Sequence, residues 1–134
     1  MTTLTEWIDQ AQSRADTATD GPWAVQRRTP NSDVNVTTEA TDPALAEPRF
    51  VASTGDPHYD GTLRDAEFIA AARTNLPKAL DGLRAALDPS TARRIVAMSH
   101  QITPEELAPE DLWLVQEIEQ IIAATIATAL GVTP

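Results

Sequence analysis

The sequence has no cysteine, which excludes disulfides, thiolate metal sites and cysteine nucleophiles. Aromatic residues are scarce, at 4%. Alanine, leucine, isoleucine and valine must therefore build the core, which favours packed helices. Basic residues are outnumbered, with 10 Lys and Arg against 20 Asp and Glu, for a net charge of −10. A protein that grips nucleic acid needs a basic footprint, so nucleic acid is disfavoured as a partner. The longest charge-free apolar stretch, residues 120–134, is too short and too rich in threonine to cross a bilayer, so no membrane partner is expected. The opening residues, MTTLTEWIDQ, are polar and acidic, unlike a secretory signal. A cytoplasmic location is the expectation. The G-x-S-x-G, P-loop and dinucleotide glycine patterns are missing too, and no cofactor is expected.

What charge there is lies unevenly. Residues 101–134 carry Glu105, Glu106, Glu110, Asp111, Glu117 and Glu119 and no Lys or Arg. Residues 21–100 are nearly balanced. An acidic C-terminal piece on a neutral body is the simplest description. It suggests an α+β domain over residues 1–88 and a helical extension over 89–134 that serves oligomerisation.

Local signals predict the elements. Thr3 and Glu6 have capping-box spacing, and Leu4, Ile8, Ala11 and Ala15 fall on one helical face. Asp20-Gly21-Pro22 stops that helix. Short strands are predicted at residues 23–26, 33–38 and 49–53, with Trp23 and Val25 on one side of the first and a loop over 39–48. Thr62 and Asp65 suggest a second capping box, before an apolar stripe of Phe68, Ile69, Ala72 and Leu76. Pro77 is expected to break that helix, with Thr74 or Asn75 capping a new one that carries Leu76, Leu80, Leu83 and Leu87. Asp88-Pro89 ends it, and Ser90 starts a short helix holding Ile95, Val96 and Met98. Thr103-Pro104-Glu105-Glu106 reads as a further helix start. After Pro109 a long helix carries Leu112, Val115, Ile118, Ile122, Ile126 and Ala129, and Gly131 closes it. From Ile121 to Leu130 it has no charge on any face, and such a helix needs cover on several sides. A seam between copies over Leu112, Trp113, Val115, Ile118, Ile122 and Ile126 is the preferred reading.

Two segments carry a family resemblance. Gly21-Pro22-Trp23 follows an amphipathic helix, and Asp65, Ala66, Glu67, Phe68, Ile69, Ala70, Arg73, Thr74 and Pro77 spell DAEFIAxARTxxP downstream. In this order, across a short β segment, they resemble a family of small actinobacterial phage and prophage accessory proteins, similar to the Ead-like proteins of lambdoid phages. The resemblance covers about residues 4–87. It implies an accessory phage product acting in the host cytoplasm, and it carries over no catalytic residue.

Four constellations could carry chemistry. Asp56, Asp60, Gly61, Leu63 and Glu67 follow calcium-loop spacing, but His58 stands where an oxygen ligand is needed and Pro57 follows the first ligand. A turn leading into a helix is the preferred reading. His58 and His100 have no nucleophile or ligand set beside them and read as solvated. Carboxylate pairs at Glu105-Glu106 and Glu110-Asp111 suit helix starts rather than acid–base work. Arg27, Arg28, Arg49 and Arg64, near Trp23, His58 and Tyr59, could grip an anionic nucleotide. The competing reading pairs them with Asp33, Glu47 or Asp60 and makes Trp23 a core anchor. The expectation is an α+β fold: an N-terminal helix, a small antiparallel meander, and a helical C-terminal half with a long last helix. The expected function is non-enzymatic, with the protein acting by contact with itself and with a host protein. The alternative is an oligomer that sequesters a nucleotide, marked by three or more of the four arginines converging on one pocket.

Overall fold

The first helix begins where Thr3 and Glu6 exchange hydrogen bonds. In the computed structural model, which describes residues 1–134, the Thr3 N–H donates to the Glu6 carboxylate at 2.8 Å and the Glu6 N–H to the Thr3 hydroxyl at 3.3 Å. This is the predicted box, and α1 (Leu4–Thr17) follows it. Leu4, Ile8 and Ala15 are buried along one face. The Gly21–Pro22 peptide is cis.

Three antiparallel strands come next, β1 (Trp23–Gln26), β2 (Val34–Asp42) and β3 (Glu47–Gly55), in the spatial order β1-β2-β3. Trp23 stands opposite Thr38, and Val36 faces both Val25 and Ala52. The segment 39–48, expected as a loop, is instead a hairpin: Thr41 pairs with Pro48 and Asp42 with Glu47. Its polar, exposed residues show no alternation because neither side of this ribbon is buried. The Asp42 side chain closes the turn by accepting the Ala44 N–H at 2.8 Å. A register break between Thr37 and Thr41 is bridged by Thr38, whose hydroxyl accepts the Arg49 N–H and donates to the Ala40 carbonyl, both at 2.8 Å.

The helix α2 (Thr62–Leu87) differs from expectation in three ways. It runs unbroken through Pro77, and neither Thr74 nor Asn75 caps a fresh helix. Proline removes one main-chain bond and crowds the preceding turn, at about 3 kcal/mol. Buried Ala66 and Ala70 anchor the helix before the proline and Leu80, 0% exposed, anchors it after, so packing on both flanks outweighs the local defect. Second, its start is set by Gly61, at φ +91°, and not by a Thr62–Asp65 box. Thr62 is buried, and its carbonyl accepts the Thr54 hydroxyl at 2.8 Å. Third, the inward face is Ala66, Ile69 and Ala70, whereas Phe68 is 76% exposed. Only small side chains let the helix approach the sheet closely.

The last segment follows its signals more closely. The helix α3 (Pro89–His100) is capped by Asp88, which accepts the Ser90 N–H, one residue pair earlier than a Ser90 start would place it. Its buried residues are Ala92, Val96 and Ala97, whereas Ile95 and Met98 face outward. Single 3₁₀ turns at Pro104–Glu106 and Pro109–Asp111 lead into α4 (Leu112–Leu130), which Gly131 ends at φ +67°.

The chain divides into two compact units. One comprises Met1–Ser13 with Leu80–Pro134, the other Arg14–Ala79. In the first, Leu4, Ile8, Leu80 and Ala127 form one core cluster, and Ala92, Val96, Ala97, Leu107 and Val115 form a second. Its first and last segments also meet directly, with the Leu4 N–H donating to the Thr133 carbonyl at 2.7 Å. In the second unit, Val34, Val36, Ala66 and Ala70 form the core, with Trp23, Val25 and Ile69 packed against it. No helix is long and apolar enough to cross a membrane.

Candidate functional site

The arginines of the β segment do not converge. Arg28 lines a cavity with Gln26, Asn35, Thr37 and Phe50, while Arg49 lines a separate one with Asp20, Thr38 and Thr41. Arg64 pairs with Asp60 at 2.8 Å along α2, and Arg28 lies 3.9 Å from Glu47. Arg27 joins neither cavity. Opposed and exposed, such pairs contribute little beyond local order. The convergence that would mark a nucleotide pocket is not met.

The loop at residues 56–61 is organised by itself. The Asp56 carboxylate accepts the His58 N–H at 2.8 Å and lies 2.7 Å from the His58 ring nitrogen. The main-chain bond from His58, then the ring bond, holds the Asp56 carboxyl below its ordinary range. Asp60 belongs to Arg64, Tyr59 is exposed, and no three His, Asp or Glu side chains, Asp56, Asp60 and Glu67 included, stand together as a metal set. His100 lies 3.8 Å from Asp111. The other displaced carboxyls, Glu6, Asp88 and Glu106, are also shifted downward, each by hydrogen bonds at a helix start. Their position gives them capping work.

What the fold does gather is a cleft on Trp23. The end of α1 contributes Arg14 and Ala15, and Ala18 lies just beyond it. The middle of α2 contributes Ala72, Arg73, Leu76 and Pro77. The cleft has a volume of about 160 Å³. The Thr19 carbonyl fixes two of its walls at once: it accepts the Trp23 indole N–H at 3.1 Å and the Arg73 Nε–H at 3.0 Å. Gly21 allows this, because a Cβ there would lie 2.7 Å from Cγ of Arg73. Gly21 and Trp23 therefore meet Arg73 and Pro77 at one place, and together they build this corner.

The expected seam residues of α4 divide between two faces. Val115 is buried, and Ile118 and Ile126 pack against core clusters of their own unit. Ile122 is half-buried. Leu112 and Trp113 are exposed, Trp113 by 64%, and they are joined by Ile121 at 59%. Trp113, Glu117, Gln120, Ile121, Ala124 and Thr128 recur every three to four residues and are all exposed, so they share the outer side of the helix. Only Glu117 is charged.

The chain matches no protein-family model, no curated protein and no solved structure. The site is thus read from its own geometry. Sequence reasoning named Trp23 but missed Arg14, Ala72, Arg73 and Leu76 as its neighbours. The available signal was the motif itself: an arginine and a proline four residues apart in a segment with no catalytic group have a structural reason to be there.

Proposed function

We propose that this chain is a non-enzymatic accessory protein of the phage type, which self-associates and acts by contact with a host protein in the host cytoplasm. The observation that carries the reading is the outer side of α4. It exposes Trp113 and Ile121, with Ala124, Thr125 and Thr128 beyond them, and from Gln120 onward it holds no charge. Solvent is a poor neighbour for such a surface, and its small residues permit close approach of a second helix. Of the seam expected from the sequence, Val115, Ile118 and Ile126 pack within their own unit, so the proposed contact keeps Leu112 and Trp113 and adds Ile121 and Ala124. The capping positions of the displaced carboxyls add support for contact over catalysis, since an acid–base group needs a pKa moved toward its working pH.

Sedimentation at high micromolar concentration tests the reading. The wild type is expected as a multiple of the chain mass, and Ile121→Glu as a single chain with an unchanged far-ultraviolet spectrum. A wild-type protein that stays a single chain overturns self-association.

A further inference from the structure

The sheet has a second face, which α2 does not cover. Val34 and Val36 are buried on the helix side, so Asn35 and Thr37, which alternate with them, point the other way. Gln26 stands opposite Asn35, and Phe50 opposite Thr37, which sets each pair of side chains about 5 Å apart across the strands. All four line one cavity of about 290 Å³, and polar and apolar groups share its wall about equally. Phe50 is 60% exposed there. This site is separate from the α4 surface, and neither reading needs the other.

Thr37 is the decisive residue. It is only 6% exposed, on a face with no helix above it. The adjacent Thr38 uses its hydroxyl twice, on the Arg49 N–H and the Ala40 carbonyl. The Thr37 hydroxyl has no partner within the chain and belongs to the cavity wall. The carboxamides of Gln26 and Asn35, on the same wall, are free as well. Polar groups in such a place cost free energy until something bonds to them. The charged residues at the cavity are Arg28 and Glu47, 3.9 Å apart and opposite in sign. They cancel, so the site favours a neutral occupant over an ion.

Size narrows the choice further. A cavity of roughly 150 Å³ accepts one benzene ring, so about 290 Å³ suits a fused pair of rings. We propose that this cavity binds a neutral purine of the adenine type, as the free base or its nucleoside, stacked on Phe50 with its edge on the Asn35 and Gln26 carboxamides and the Thr37 hydroxyl. Stacking on an aromatic ring supplies affinity. A carboxamide presents a donor beside an acceptor, which matches the N7 acceptor and N6 donor of adenine. The same edge of guanine offers two acceptors and calls for a free guanidinium, whereas Arg28 faces Glu47. An aliphatic ligand would leave the polar groups unbonded, and an anion would meet the Glu47 carboxylate.

The test titrates the full chain with adenosine and with adenine, and follows the NMR resonances of the Gln26 and Asn35 side-chain amides. Those resonances are expected to move, with saturation below about 1 mM. Phe50→Ala, an exposed change, should weaken binding about fivefold or more. Thr37→Val keeps the shape, removes the hydroxyl and should weaken it about threefold or more. Guanosine should bind about tenfold more weakly than adenosine. Adenine binding as tightly as adenosine would confine recognition to the base, and weaker binding would extend it to the ribose; the proposal stands on either. Resonances that do not move, undiminished binding by Phe50→Ala, or guanosine binding as well as adenosine overturns it. Two further arms identify other occupants, and either would also overturn it. One is the 5′-phosphate ester of adenosine binding about tenfold tighter than adenosine, which would make this an anion site. The other is methyl glucoside binding as tightly as adenosine, which would make it a sugar site.

Discussion

Gly21 has no side chain because Arg73 fills the space one would need, with 2.7 Å between the Cγ of Arg73 and a Cβ at position 21. Gly21→Ala must push Arg73 aside and strain its bond to Thr19. The expected loss is about 1–3 kcal/mol, typical of overpacking, read from a denaturant midpoint, together with a displaced Trp23 indole resonance. Capping carboxylates give a second residue-scale expectation. Glu6 is held below its ordinary pKa first by the Thr3 N–H and then by the Thr3 hydroxyl, and Glu106 in the same way by Thr103. A carboxyl whose folded pKa is lowered stabilises the fold above its unfolded value, about 4.3. That contribution is lost as the pH falls through the lowered folded value. The double substitution Glu6→Gln and Glu106→Gln should therefore unfold at lower urea than wild type near neutral pH, and the gap should close in strong acid. A gap of constant size would assign the effect to shape instead of charge. The box at Thr3 and the helix start at Thr103 were legible in the sequence because the partners sit three residues apart, although Thr62 and Asp65 have the same spacing and form no box. The Gly21–Arg73 contact was not, because nothing local links positions 52 residues apart in the chain.

At the scale of elements, proline is the instructive residue. Position 77 looked like a boundary, and the helix ignores it, since Leu80 and Ala70 anchor both sides. If packing carries that helix over a local defect, removing the defect should help. Pro77→Ala restores a donor and is expected to raise stability by about 1–3 kcal/mol, measured by thermal or chemical unfolding. A loss would mean that the ring's own contacts at the cleft matter more than the missing bond. The same contrast explains the sheet. Residues 23–26 and 34–38 announce themselves by valines that must be buried, whereas residues 39–42 and 47–48 are held by pairing alone and carry no apolar signature. The helix starts at Thr3 and Thr103 and the stop at Gly131 are punctuation that the chain spells locally. The order of elements was therefore readable, while the lengths of β2, β3 and α2 depended on contacts between elements.

For the molecule as a whole, charge and apolar surface pull on association in opposite senses. Residues 101–134 hold six acids and no base, so copies meeting there repel unless contact lies where charge is missing. The stretch from Gln120 onward meets that condition, which is why a single Glu at position 121 should be enough to separate copies. The periodicity of α4 showed that the helix had more apolar surface than one side needs, but not which side its own unit takes. That choice rests on Ala123, Ile126 and Ala127 packing with Leu4, Ile8 and Leu80, residues more than a hundred positions distant at one extreme. The four arginines of the β segment show the opposite limit. Nearness in sequence suggested a pocket, but Arg27 and Arg28 lie past the end of β1, Arg49 in β3 and Arg64 on α2, and Arg28 and Arg49 line different cavities.

The pair of hydrogen bonds accepted by the Thr19 carbonyl also bears on how this chain could vary in length. The segment between α1 and β1 holds the Thr19 carbonyl, which anchors an indole and a guanidinium together, so adding or removing a residue there would detach both at one stroke. The turn at residues 43–46 anchors nothing beyond its own hairpin and is exposed throughout. Extra loop or a fused tag belongs at that tip, and the connection before Trp23 has to keep its present span.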